Sequence, residues 1–157
     1  MDSLLDRIDR RILNQLQRDC SLTNLQLAEQ VGLSPPACLK RVKRLTDEGV
    51  ISKKVALLTP ESFGPSLHMV VEVIMESDHK KVNLSFVKRI QASSEVKQCY
   101  QVTGDVDFVL VVMVPDMPAY EAFCDRVLYA DPNMKKFRTM ISMRREKFDT
   151  AIDVGGA

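Results

Sequence analysis

The chain has 157 residues, of which 45% are hydrophobic and none is Trp, enough for one ordinary domain or two small ones with real cores. Its net charge is only +1, but residues 1–60 hold ten Lys/Arg against seven Asp/Glu and the remainder twelve against fourteen, so a polyanion would meet the N-terminal part. The four cysteines, Cys20, Cys38, Cys99 and Cys124, form no CxxC pair, which excludes the usual zinc and redox spacings, calls for no metal or other cofactor and suits a reducing cytosol. The start Met1-Asp2-Ser3-Leu4-Leu5-Asp6-Arg7 lacks the basic, then apolar, pattern of a signal peptide, and no apolar run approaches the roughly 18 residues of a membrane span. The expectation is a cytoplasmic protein with no membrane partner.

A first helix is predicted from Leu5 or Asp6 to Arg18, with Leu5, Ile8, Ile12 and Leu16 in an apolar stripe and Leu13 beside them. Ser21 or Thr23 can cap a second helix, whose buried side is read as Leu25, Leu27, Ala28 and Val31. Gly32 follows where a residue free to take positive φ ends a helix cheaply. Ser34 is placed to cap a third helix with Pro35 at its first position. Leu39, Val42 and Leu45 are expected to point inward, leaving Ala37, Lys40, Arg41 and Lys43 or Arg44 outside.

Helix, tight glycine turn, and a second helix with a basic face is the layout of a helix-turn-helix, which places its second helix in the DNA major groove. Small residues at Pro36, Ala37 and Cys38 allow close backbone approach, although Cys38 also reads as ordinary packing. Ser34, Thr23 and the first-turn amides can meet phosphates. Lys40, Arg41 and Arg44 are long enough for bases or backbone. Gly49 ends the helix, and Val50 to Leu58 reads as an extended hairpin or wing bearing Lys53 and Lys54 as phosphate contacts. The DNA-binding set is therefore Thr23, Ser34, Pro36, Ala37, Lys40, Arg41, Arg44, Lys53 and Lys54, within a domain of residues 1–60. A three-helix docking domain without nucleic acid is the competing reading.

Pro60 to Pro65 reads as a linker to a second domain, residues 61–157. There, Val70 to Met75 is strand-like and Val82 to Ile90 amphipathic. Val96 to Val102 and Phe108 to Val114 are strands joined by Thr103-Gly104-Asp105-Val106-Asp107. Pro118 opens another helix, and Phe137 to Arg145 is a last strand. The order βαββαβ is that of a ferredoxin-like sandwich, so the fold class is α+β. Phe108 to Val114 is apolar at every position. Helices cover one face of such a sheet, so the other is expected to be buried by a second subunit. Cys99 and Cys124 read as core.

Taken together, Asp9-x-x-Ile12-Leu13, Leu25 to Val42 with Val31-Gly32-Leu33-Ser34-Pro35 and Arg41-Val42, Gly49-Val50-Ile51, Leu57-Leu58-Thr59-Pro60, Thr103-Gly104-Asp105-Val106-Asp107-Phe108 and Val114-Pro115-Asp116-Met117 resemble the Lrp/AsnC family of feast-or-famine regulators. The resemblance covers about residues 4 to 148, and the order and spacing of its pieces are what make it specific. It implies a sequence-specific transcriptional regulator of double-stranded DNA whose activity or assembly responds to a small amino-acid effector. It also implies dimers paired through the C-terminal sheets, helped by the wings, and assembled into an octamer or similar ring. By position, the resemblance assigns effector binding to Val102, Thr103, Gly104, Asp105 and Asp107 and, from the last strand, to Thr139, Met140 and Ile141. Val106 and Phe108 are apolar where many members carry Tyr; with Met140 they lean the effector toward leucine or methionine, while asparagine and lysine remain open. A Gly-Asp turn is also what any β-hairpin would use there.

Two further readings compete. One is an effector-free, DNA-organising architectural protein. The other is an enzyme like the tetrapyrrole decarboxylases built on a similar scaffold, for which the candidates would be His68 and His79. No HExxH, GxSxG, P-loop or GxGxxG occurs, so no catalytic residue is assigned and the chain is read as a non-enzyme.

Overall fold

The computed structural model describes residues 5–77 and 80–155. The chain divides into two compact units, one of residues 1–57 with 147–157 and one of 58–146.

The N-terminal unit is three helices, α1 (Arg7–Arg18), α2 (Asn24–Val31) and α3 (Pro35–Asp47). Asp6 caps α1 in a reciprocal capping box with Asp9: Asp9 N donates to Asp6 Oδ1 at 2.8 Å and Asp6 N to Asp9 Oδ2 at 3.2 Å. Thr23, of the two hydroxyls expected, caps α2 and forms a second box with Gln26. Gly32 ends α2 at φ 73°, with Leu33 N donating back to Ala28 O, the backbone reversal that closes the helix-turn-helix. Ile12, Leu13, Leu27, Ala28, Val31, Cys38 and Leu45 form the core. Leu25 and Leu39, expected inside, are 56% and 57% exposed; three short helices cannot enclose more than one narrow stripe of each.

Val50 to Leu58 forms no strand among the described residues. Val50, Val55, Leu57 and Leu58 are exposed, and the expected hairpin is not formed among the described residues.

The C-terminal unit follows the order β1 (Leu67–Met75), α4 (Lys80–Ala92), β2 (Val96–Gln101), β3 (Phe108–Val114), α5 (Met117–Phe123, continued by a π turn at Cys124–Leu128) and β4 (Met134–Ile141). The last strand starts and stops earlier than expected. The antiparallel sheet runs β2-β3-β1-β4, with Val73 opposite both Phe108 and Phe137. Met69, Val71, Val73 and Met75 alternate toward the helices, as do Phe108, Leu110, Val112 and Val114. There they meet Phe86 and Ile90 of α4 and Phe123, Val127 and Leu128 from the α5 region. The other face presents Val70, Ile74, Val109, Val111 and Met113, all only half-buried. Cys124 is buried, as expected, but Cys99 is exposed because β2 is an edge strand.

The boundary expected at 60/61 therefore falls at 57/58, and the tail expected in the second domain belongs to the first unit. The reason is specific pairing along α1. Gln17 exchanges two hydrogen bonds with the Ile152 backbone, at 2.7 and 3.0 Å. Asn14 Nδ2 donates to Gly155 O at 3.2 Å, Arg10 donates to Val154 O, and Val154 packs against the helical core. Removing residues 150–157 is expected to cost the N-terminal unit about 2–4 kcal/mol, since each of these four largely exposed bonds contributes about 0.5–1 kcal/mol. Denaturant unfolding followed by helical circular dichroism checks this; an unchanged midpoint would show that the tail contributes nothing.

Candidate DNA interface and effector loop

Charge alone does not say which basic residues of α3 face outward; one carboxylate does. Asp9 is fully buried on α1. Its Oδ1 accepts from Arg41 at 2.9 Å and its Oδ2 from Arg44 at 2.5 Å, while Arg41 also reaches Asp6 at 2.6 Å. The two arginines read as DNA contacts are thus engaged by α1. With Cys38 and Leu45 inside, the outer stripe of α3 is Pro36, Leu39, Lys40 and Lys43, at the i, i+3, i+4, i+7 spacing of one helix face. Ala37 lies at its margin, half-buried. Sequence reasoning left Lys43 and Arg44 as alternatives for this face and put Leu39 inside; the structure places Lys43 and Leu39 on it. Counting from Cys38 and Leu45 as inward positions would have found both.

Ser34 occupies the N-cap of α3 but makes no side-chain cap bond; since Pro35 and Pro36 have no N–H and Cys38 N donates to Ser34 O, the first turn offers only the Ala37 amide beside that hydroxyl. Asn24 Nδ2 donates to Pro35 O at 2.8 Å and ties the two helix starts together. The Thr23 hydroxyl, by contrast, is occupied with Gln26. Lys53 and Lys54 stand exposed on the segment that follows α3.

In the C-terminal unit, the loop from Val102 to Asp107 closes the β2–β3 hairpin, with Val102 N donating to Asp107 O at 3.0 Å. Gly104 sits at φ 114°, where a side chain would be strained, and nothing lies within 4 Å of where its Cβ would be. Thr103 and Asp105 are exposed. Asp107 is different: its N donates to Val73 O at 2.9 Å, and its Oδ2 accepts from Met75 N at 2.8 Å. That carboxylate already holds the end of β1.

The last-strand residues do not join this loop within one chain, because β1 lies between β3 and β4 in the sheet. Thr139 turns to the helix side, where its hydroxyl meets Tyr120 Oη at 2.5 Å; burial pushes the tyrosine's proton affinity up. Met140 lies on the opposite face, 40% exposed, and Ile141 is 53% exposed. Phe108 is core, its ring 5.1 Å from that of Phe86, and so says nothing about an effector. His68 lies on β1, and His79 falls outside the described residues. Among the described residues no three His, Cys, Asp or Glu side chains gather to hold a metal ion, and no helix is long and apolar enough to cross a membrane.

These features define a class: a helix-turn-helix protein carrying an antiparallel α+β sandwich as a second module. Residues 5–52 match the model of a winged helix-turn-helix DNA-binding family, and residues 68–152 match the Lrp/AsnC ligand binding domain. The chain belongs to the Lrp/AsnC family of transcriptional regulators. The leucine-responsive regulatory protein of Escherichia coli K12 is 40% identical to it over 143 residues, spanning 91% of this chain and 87% of that one. A Neisseria meningitidis transcriptional regulator solved as a complex with L-methionine is 31% identical, with a TM-score of 0.87 over 96% of this chain and 97% of that one. An AsnC-family regulator from Agrobacterium tumefaciens is 33% identical, with a TM-score of 0.88 and the same coverage.

Replacing Arg41 and Arg44 together by Met should destabilise the N-terminal unit by about 3–5 kcal/mol, because Asp9 would be left buried without a counter-charge. Asp9→Asn should cost about 2 kcal/mol, because the arginines, partly exposed, turn to water. Urea titrations of both variants measure the asymmetry, and equal losses would contradict it. The amide of Asp9, then the guanidinium of Arg41, hold the Asp6 carboxyl below its ordinary value of 3.8. Its contribution is present above the unfolded value and is lost as pH falls through the lower, folded one. Asp6→Asn should therefore flatten the acid limb of the stability curve below about pH 4; an unaltered limb would count against this linkage.

Proposed function

We propose that the chain is a homo-oligomeric, amino-acid-responsive regulator that reads DNA with α3. It works in the cytoplasm, without a cofactor, a membrane or catalysis. The observation that carries this reading is the pairing of two modules: a helix-turn-helix with a lysine-bearing outer face, and a ligand-binding-type sandwich whose β2–β3 loop is exposed around Gly104.

The N-terminus of α3, with Ser34, Pro36 and Ala37, approaches the groove, while Lys40, Lys43, Lys53 and Lys54 neutralise phosphates. Thr23, Arg41 and Arg44 serve chiefly to hold the module. Log affinity for DNA then falls with log salt by about 0.9 for each phosphate contact. Two chains pair through the open sheet face of Val70, Ile74, Val109, Val111 and Met113, whose half-exposed apolar area a second copy removes from water. Higher assembly, up to an octamer or a similar ring, brings one chain's loop against another's. The effector sits there, its charged ends held by main-chain groups of Val102, Thr103 and Gly104 and by Asp105, with Asp107 fixing the loop rather than touching the ligand. Thr139, Met140 and Ile141 enter the site only across an interface between chains. The names of the leucine-responsive relative and the methionine-bound neighbour favour an apolar amino acid. Effector binding shifts assembly, and with it the spacing of the recognition helices.

Thermal unfolding of the full chain against the twenty amino acids, each at millimolar concentration, tests this. A ligand at a hundred times its dissociation constant stabilises by about 2.7 kcal/mol. One or a few apolar amino acids should raise the midpoint, and Asp105→Asn should remove the rise while leaving the unliganded midpoint in place. No rise with any amino acid would overturn the effector reading and favour an effector-free DNA organiser.

A further inference from the structure

We infer that Leu39 is a specificity-determining residue: it reads the 5-methyl group of thymine in the major groove. The inference rests on α3 being the recognition helix, as proposed above. The outer stripe of α3 contains no guanidinium, because Asp9 holds both Arg41 and Arg44 to the side. The bidentate arginine–guanine contact is therefore not what this face is built to make. Leu39, 57% exposed, lines one flank of that stripe, with Pro36 and Lys43 one turn either way and Lys40 on the other flank.

A lone exposed leucine on a protein surface needs no explanation. This one sits among cations on the face whose charge suits a polyanion, one turn inside a helix whose start is lined by small residues. Its branched tip has no hydrogen-bonding atom. In the major groove every base edge offers polar groups, and the only methyl is that of thymine. The lysines, long and flexible, reach outward to the phosphates and leave the short leucine, on the flank of the same face, to meet a base edge. Burial of one methyl against one isobutyl group predicts about a fourfold preference at a single position of each half-site.

The test uses the full chain and a duplex enriched by it from a random-sequence pool. Each thymine is replaced in turn by deoxyuridine, which keeps the base pair and removes only the methyl. One replacement per half-site should weaken wild-type binding about three- to fivefold. Leu39→Ala should bind both duplexes equally, while Lys43→Ala should keep the discrimination and reduce the salt slope by about one contact. If wild type tolerates every replacement on a duplex it binds specifically, or if Leu39→Ala discriminates as wild type does, the inference is overturned and the DNA-binding reading stands. If no sequence is enriched, the reading of α3 as a recognition helix fails, and this inference with it.

Discussion

A single buried carboxylate sets the orientation of α3. Asp9 stands at the third position of α1, closes its capping box, and accepts charge-assisted bonds from Arg41 and Arg44 on α3. Removing a carboxylate from water costs several kcal/mol and is offset only when its oxygens are fully bonded; here Asp6 N, Arg41 and Arg44 supply the donors. Because each residue turns a helix by about 100°, fixing positions 41 and 44 against α1 fixes which residues look outward. The two arginines most readily taken for DNA contacts are the ones that decide where Pro36, Leu39, Lys40 and Lys43 point.

The C-terminal unit follows the same logic in backbone form. The two central strands, β1 and β3, bury one face under α4 and α5 and leave the other half-buried, with Val70, Ile74, Val109, Val111 and Met113 beside His68 and Glu72. Asp107 ties the start of β3 to the end of β1 through Val73 and Met75, leaving the residues before it, Thr103 to Asp105, as the free tip. A second polar knot holds the segment before β4. Asn133 bonds Ser77 and Asn83, and the buried Asp131 pairs with Arg89 at 3.0 Å. Rigid ends around one exposed loop suit a site that must hold a small molecule in defined geometry.

Periodicity made the element order legible. The alternation in β1, the unbroken apolar run Phe108 to Val114 and the proline and aspartate signals before α5 mark strands and helices by local rules. Those rules do not report partners. Arg41 and Arg44 carry the same formal charge whether they meet phosphate or Asp9, thirty-odd residues away in sequence, and the sign of a charge does not specify its contact. Leu39 reads as core by spacing, yet it stands 57% exposed among the described residues. The hairpin expected at Val50 to Leu58 forms no strand among the described residues, because nothing in its alternation names a pairing partner. Asp107 and Asp105 look alike in the sequence, and only the register of β1 against β3 separates a structural carboxylate from a free one. The tail Asp149 to Val154 has neither helical nor strand period, so its docking on α1 left no local mark.

That docking has a consequence for biosynthesis. The helices of the DNA-reading module are translated first, and nearly the whole of the second module follows before Ile152 and Gly155 reach Gln17 and Asn14. On the ribosome, domains ordinarily fold in the order in which they emerge. Here the first unit to appear is the last to be finished. Until translation passes residue 155, the outer face of α1 stays bare and Val154 is missing from the helical core. A nascent or prematurely terminated chain thus carries an incomplete reading head, and full stability comes only to chains that have also received the sandwich.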